Sequence, residues 1–151
     1  MLGRKIIDIV ERLPLIFQHF CGVFTIDQIE LVRNCLKPKT FAIINTSTHP
    51  GQHWFLIFRN SRYFYEIFDP LGYPSLQRLD VQNYFRGNFV YNTTAVQPRN
   101  SKLCGEFCII FAIHRILRPH LSFVSLFNKI FSKTDLKANH LFISEYISWL
   151  I

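Results

Sequence analysis

Four residues, met in chain order, could do chemistry together: His53 followed by Trp54, then Asp69, then Gln97, then Cys104 followed by Gly105. They supply a base, a carboxylate to orient it, an amide donor for an oxyanion and a nucleophile, which are the parts of a thiol hydrolase. Cys104 stands at the start of an apolar run, and a helix N-terminus favours a thiolate. Taken alone, Cys104 and Cys108 would be ordinary core cysteines; the other three residues are what favour chemistry. Gly105 has no side chain, so a substrate backbone could come close. His53 would take the proton of Cys104 and return it to the leaving amine. Asp69 would accept from the other ring nitrogen and fix the tautomer, although Asp before Pro is also a common turn starter. Glu66, the competing carboxylate, is three residues away and on a strand points to the other face. Gln97, seven residues before Cys104, is either an oxyanion donor or a plain loop residue whose side chain carries little packing.

The elements that must position these residues follow from pattern. Ile6, Ile7, Val10 and the stretch from Leu13 to Phe17 recur at helical spacing and predict a first helix. Thr25-Ile26-Asp27-Gln28 reads as a capping box opening a helix that runs to about Asn34. Phe41 to Ile44 reads as a short strand. The runs from His53 to Phe58 and from Tyr63 to Phe68 read as a hairpin around Asn60-Ser61-Arg62. That turn would pair Arg59 with Tyr63, Ile57 with Tyr65, Phe55 with Ile67 and His53 with Asp69. Opposed residues have Cβ atoms roughly 5 Å apart, so the hairpin alone would set a His beside a carboxylate. Leu76 to Phe85 reads as a helix and Phe89 to Tyr91 as a strand. A helix from Cys104 to Leu117, with Ser101 or Asn100 as N-cap, is apolar all round from Phe107 to Ile113 and should be buried centrally. Helices near Phe123–Phe131 and Thr134–Leu150 complete the chain. The expected fold is α+β, one domain over residues 1–151: a small, mainly antiparallel sheet around a central buried helix that carries the nucleophile.

Composition supports a folded domain. The chain has 151 residues, 49% hydrophobic, with 16 Phe, ample for a core without a metal or disulfide. The net charge of +7 suits a polyanion, or serves only as a solvated surface. The four cysteines form no CxxC pair, and reduced thiols are expected. No secretory signal and no membrane-length apolar run is visible. Asn92-Thr93-Thr94 matches a glycosylation sequon, which means little without secretion. His19, His49, His114, His120 and His140 lack the context that singles out His53.

GQHW at 51–54, FDPLG at 68–72, VQPRNSKLCGEFC at 96–108 and FxxHR at 111–115 resemble the adenovirus protease family, whose chain order is His, Asp or Glu, Gln, Cys. HFCGVF at 19–24 and FAIINTSTHPGQHW at 41–54 are more similar still to the proteases of Polinton/Maverick transposons and adintoviruses. The resemblance covers roughly residues 19–118. It implies an adenain-like cysteine endopeptidase that processes capsid or core precursors, often after Gly-Gly or Gly-x-Gly. His53 would be the base, Asp69 the third member, Cys104 the nucleophile, and Gln97 with the Cys104 N–H the oxyanion hole. The cysteine that bonds the adenoviral peptide cofactor has no clear counterpart here, so no required cofactor is carried over; DNA remains an activator to consider. A monomer in the host nucleus or virion, or otherwise in the cytoplasm, with no membrane partner, is the corresponding expectation. The same fold and order occur in SUMO- and ubiquitin-like-protein proteases, which usually carry a Trp-rich platform, whereas this chain has only Trp54 and Trp149. An inactive DNA- or capsid-binding domain with the protease fold is the non-enzyme alternative.

Overall fold

The computed structural model describes residues 3–46, 53–72 and 88–151. The expected first helix is two: α1 (Gly3–Glu11) and the short α2 (Pro14–Phe17). Pro14 divides them, since its ring cannot follow a helical turn but suits the first turn of a new one. Strand β1 (Phe20–Thr25) was not foreseen; it shows no two-residue alternation and is half-buried along its whole length. The capping box is present in part as read. The Thr25 N–H donates to Gln28 Oε1 at 3.0 Å, a 3₁₀ turn over Ile26–Gln28 follows, and α3 (Ile29–Cys35) continues from it.

β2 (Thr40–Asn45), β3 (Trp54–Ser61), β4 (Phe64–Phe68) and β5 (Asn88–Tyr91) complete a sheet ordered β1-β2-β3-β4-β5. The sheet is mixed and not mainly antiparallel. β2–β3 and β3–β4 are antiparallel, but β1–β2 and β4–β5 are parallel. The β1–β2 link contains α3, and a helix-bearing crossover is what returns a strand in the parallel sense.

The hairpin register also differs from expectation. Ile57 faces Ile67, Phe58 faces Glu66 and Arg59 faces Tyr65, a slip of two residues from the predicted pairing. The cause is Arg59. Its guanidinium donates to the carbonyls of Arg62 (2.7 Å), Ser61 (3.3 Å) and Leu36 (2.7 Å), so the turn tightens onto Arg62-Tyr63 and Asn60 becomes a bulge. A slip of two leaves each side chain on its predicted face.

Helices α4 (Cys104–Leu117), α5 (Phe123–Ile130) and α6 (Leu136–Leu150) cover one face of the sheet together with α1 and α2. Every residue of α4 from Cys104 to Ile113 is buried, as the all-round apolar pattern predicts. Phe68 stacks on Phe111 and Phe131 in this core. The other face carries a smaller core in which α3 packs on Ala42, Ile44, Phe55 and Ile57. Cys21 on β1 and Cys35 at the end of α3 are joined as a disulfide, Cα atoms 6.1 Å apart, in place of the reduced thiols expected; α3 folding back on β1 brings them together. The expected helix over 76–85 lies outside the described residues, as does His49. Among the described residues no helix is long and apolar enough to cross a membrane.

Candidate active site

His53 lies just before β3 and Asp69 just after β4, so neither belongs to the ladder. They meet beyond its end, where His53 Nε2 and Asp69 Oδ1 are 2.7 Å apart. Asp69 also caps its own turn, accepting from the Leu71 N–H at 2.9 Å, the Asx-type bond expected of Asp before Pro. One carboxylate oxygen, Oδ1, therefore both starts the turn and meets the imidazole. With Nε2 on Asp69, the Nδ1 nitrogen of His53 is left for Cys104, whose side chain hydrogen-bonds the ring. Burial would push the imidazole down, but the bonds to Asp69 and Cys104 outweigh it and hold its pKa at about 9.

Cys104 is the first residue of α4 and is buried, with only its 5% exposed edge open to the surface. Neither Ser101 nor Asn100 is the N-cap; Leu103 is, and no side chain caps the helix. Ser101 Oγ instead accepts from the Leu103 N–H, one residue short of the helix. An uncapped first turn presents its amides to an incoming oxyanion. Cys108, one turn on, points its thiol at the Trp54 carbonyl, 3.7 Å away, and burial pushes that thiol far up in pKa. It is a core cysteine.

Gln97 is 2% exposed, not the lightly packed loop residue expected. Its backbone N–H and that of Val96 both donate to the Pro70 carbonyl, at 3.0 and 2.8 Å. Its side-chain Nε2 donates to the Ser101 carbonyl at 2.9 Å, which uses one of the two amide hydrogens. The structure thus joins Gln97 to the turn that holds Asp69 and to the loop that leads into Cys104; it shows no direct bond from Gln97 to Cys104. Gly72 makes this docking feasible. Its φ is +62°, and a Cβ there would lie 2.7 Å from the backbone of Thr94 and Ala95. Any other residue would be strained and would push the two loops apart.

Sequence reasoning missed the side chains that hold these loops. Asn92 bonds the backbone of Asp69, and buried Asn139 on α6 donates to the Val96 carbonyl at 2.9 Å. His140, set aside as lacking context, bonds Ser101 Oγ at 2.8 Å. The signal for Asn139 and His140 is faint, since both sit on a helix flank that reads as polar surface. Among the described residues no group of three His, Cys, Asp or Glu side chains is arranged to hold a metal ion.

No protein-family model matches the chain. No curated protein matches it either. Among solved structures it is similar to the central domain of the uncharacterized Lpg1148 protein from Legionella pneumophila, 17% identical, with a TM-score of 0.46 over 87% of this chain and 88% of that one. The chemistry therefore rests on the site itself.

Proposed function

We propose that the chain is a cysteine endopeptidase of the adenain type, and that it processes capsid or core precursor proteins. The observation that carries this reading is a single imidazole bonded to a buried carboxylate on one side and to a thiol at a helix start on the other. The thiolate sulfur of Cys104 attacks the scissile carbonyl carbon, and the carbonyl oxygen takes up the negative charge. The Cys104 backbone N–H and the free hydrogen of the Gln97 amide are the donors for that oxyanion. Protonated His53 then gives its proton to the amine as the C–N bond breaks, leaving a thioester. Water adds to the thioester while His53 takes its proton; the acid leaves and the thiol is restored.

The resemblance in the blocks at 51–54, 68–72 and 96–108 supports the adenain-like fold assignment, the precursor substrates and a setting in a host nucleus or virion. DNA is the partner proposed for the +7 charge. Arg62, Arg99 and Lys102 are exposed, and the last two flank the loop that leads to Cys104. Arg115 is buried and is not available to DNA.

Incubation of the protein with Gly-Gly-containing peptides, with and without duplex DNA at low and moderate salt, tests the reading. Cleavage by the wild type and none by a folded Cys104→Ala variant is expected, as is iodoacetamide labelling of Cys104 ahead of Cys108. Full cleavage by Cys104→Ala would overturn the assignment. DNA binding should weaken steeply with salt, and absence of binding at low salt would remove that partner.

A further inference from the structure

Parallel pairing of β4 with β5 runs from Phe64 opposite Asn88 to Ile67 opposite Tyr91 and then stops. The next residue, Asn92, is buried, and its side chain continues the ladder where the backbone leaves it. Asn92 Oδ1 accepts from the Asp69 N–H at 2.9 Å, and Asn92 Nδ2 donates to the Asp69 carbonyl at 2.6 Å. Nδ2 makes a second bond, to the Thr94 carbonyl at 3.1 Å. A side-chain amide has the same donor and acceptor as a peptide unit, so it can satisfy both backbone groups of one residue at once. Alanine would leave the buried N–H and C=O of Asp69 short of these partners.

We propose that Asn92 is a positioning residue: it grips both backbone polar groups of Asp69 and so fixes the carboxylate against His53. This role presupposes that His53 and Asp69 work as proposed above. It also gives the Asn92-Thr93-Thr94 sequence a meaning other than glycosylation, because the nitrogen a glycan would need is inside the fold and bonded to two carbonyls.

A merely structural asparagine would lower thermal stability when replaced but leave the His53–Asp69 bond unchanged. The two roles separate in an NMR titration of histidine-labelled protein, with kcat/KM measured alongside. In the wild type the His53 midpoint is expected at about 9. In Asn92→Ala it should fall toward the value found in Asp69→Asn. kcat/KM should drop about 10- to 100-fold, the scale of a small misplacement, with most of the loss in kcat. Thr94→Ala destroys the sequon but keeps the carbonyl that Asn92 bonds, so midpoint and rate should stay at wild-type values. Asn92→Ser, which can satisfy only one of the two Asp69 groups, serves if Asn92→Ala does not fold, and the same direction of change is expected. A folded Asn92 variant with a wild-type midpoint and unchanged kcat/KM would overturn the proposal. Should the wild type cleave nothing, the protease reading fails, while the midpoint comparison still decides the role of Asn92.

Discussion

Two carboxylates three residues apart, Glu66 on β4 and Asp69 just past its end, each face a base, and the two pairs are built differently. Glu66 meets Arg115 of α4 at 2.6 Å in the middle of the sheet, both side chains at most 2% exposed. Asn60 adds a bond to the same carboxylate oxygen, and Arg115 donates to the carbonyls of Leu121 and Arg118. Burial still pushes the Glu66 carboxyl above its ordinary range, more than Arg115 pulls it down. Asp69 meets a base that can give up its proton, at the end of the ladder, beside a thiol. Arginine cannot exchange its proton near neutral pH and histidine can. The first pair can only join α4 to the sheet; the second can pass a proton.

Breaking the second pair should hurt rate far more than fold. His53→Ala should cost on the order of a million-fold in turnover, as loss of a member of a coupled triad does, together with a lower melting temperature, because buried Asp69 loses its partner. A variant that keeps more than a hundredth of the rate would place the base elsewhere. Breaking the first pair should do the reverse. Arg115→Met leaves Glu66 buried and unpaired, at a cost of about 3–5 kcal/mol in stability, read by urea unfolding, while turnover per folded molecule is kept. The double change with Glu66→Leu should recover most of that loss.

Gln97→Ala tests the boundary between the two kinds of residue. A roughly hundred- to thousand-fold slower turnover is expected, equivalent to about 2.7–4 kcal/mol. Because Gln97 is buried and bonded to Ser101, a stability loss of about 1 kcal/mol should accompany it. Loss of stability with an unchanged rate would make Gln97 a strut.

The smallest effect separates the pairs by pH. The folded-state pKa of His53, about 9, lies above its ordinary 6.5, so its stabilising contribution is complete below 6.5 and is lost as pH rises through 9. Proton donation to the leaving amine should fade over the same upper limb. The Glu66 carboxyl is also raised, so its cost sets in earlier, as pH rises from its ordinary 4.5. Unfolding midpoints across pH should show two declines; Glu66→Gln should erase the lower one and Asp69→Asn should weaken the upper one.

The contrast also explains what the sequence made legible. α4 was readable because the seven consecutive apolar residues from Phe107 to Ile113 leave no polar face to confuse the pattern. His53 and Asp69 were paired correctly but through the wrong register. The predicted turn ignored Arg59, one of whose three carbonyl contacts reaches across 23 residues to Leu36 and is invisible to local pattern. Strand β1 escaped notice because a half-buried edge strand with Gly22 lacks alternation. The parallel edges escaped because strand direction is set by crossovers. Asn92 and Asn139 were opaque for a different reason: a buried asparagine and a surface one are the same letter, and only the backbone groups they meet tell them apart.

The burial of α4 from Cys104 to Ile113 has a consequence for how the molecule breathes. A helical stretch covered on all sides has no opening short of unfolding the core around it, so its amides beyond the first turn belong to the slowest-exchanging class in hydrogen exchange. Cys104 sits at the head of that helix, whereas Gln97 lies in a loop held by backbone bonds to Pro70 and a side-chain bond to Ser101. The proposed nucleophile is thus anchored at the head of the last part of the protein to open, and the proposed oxyanion donor in a loop outside that helix.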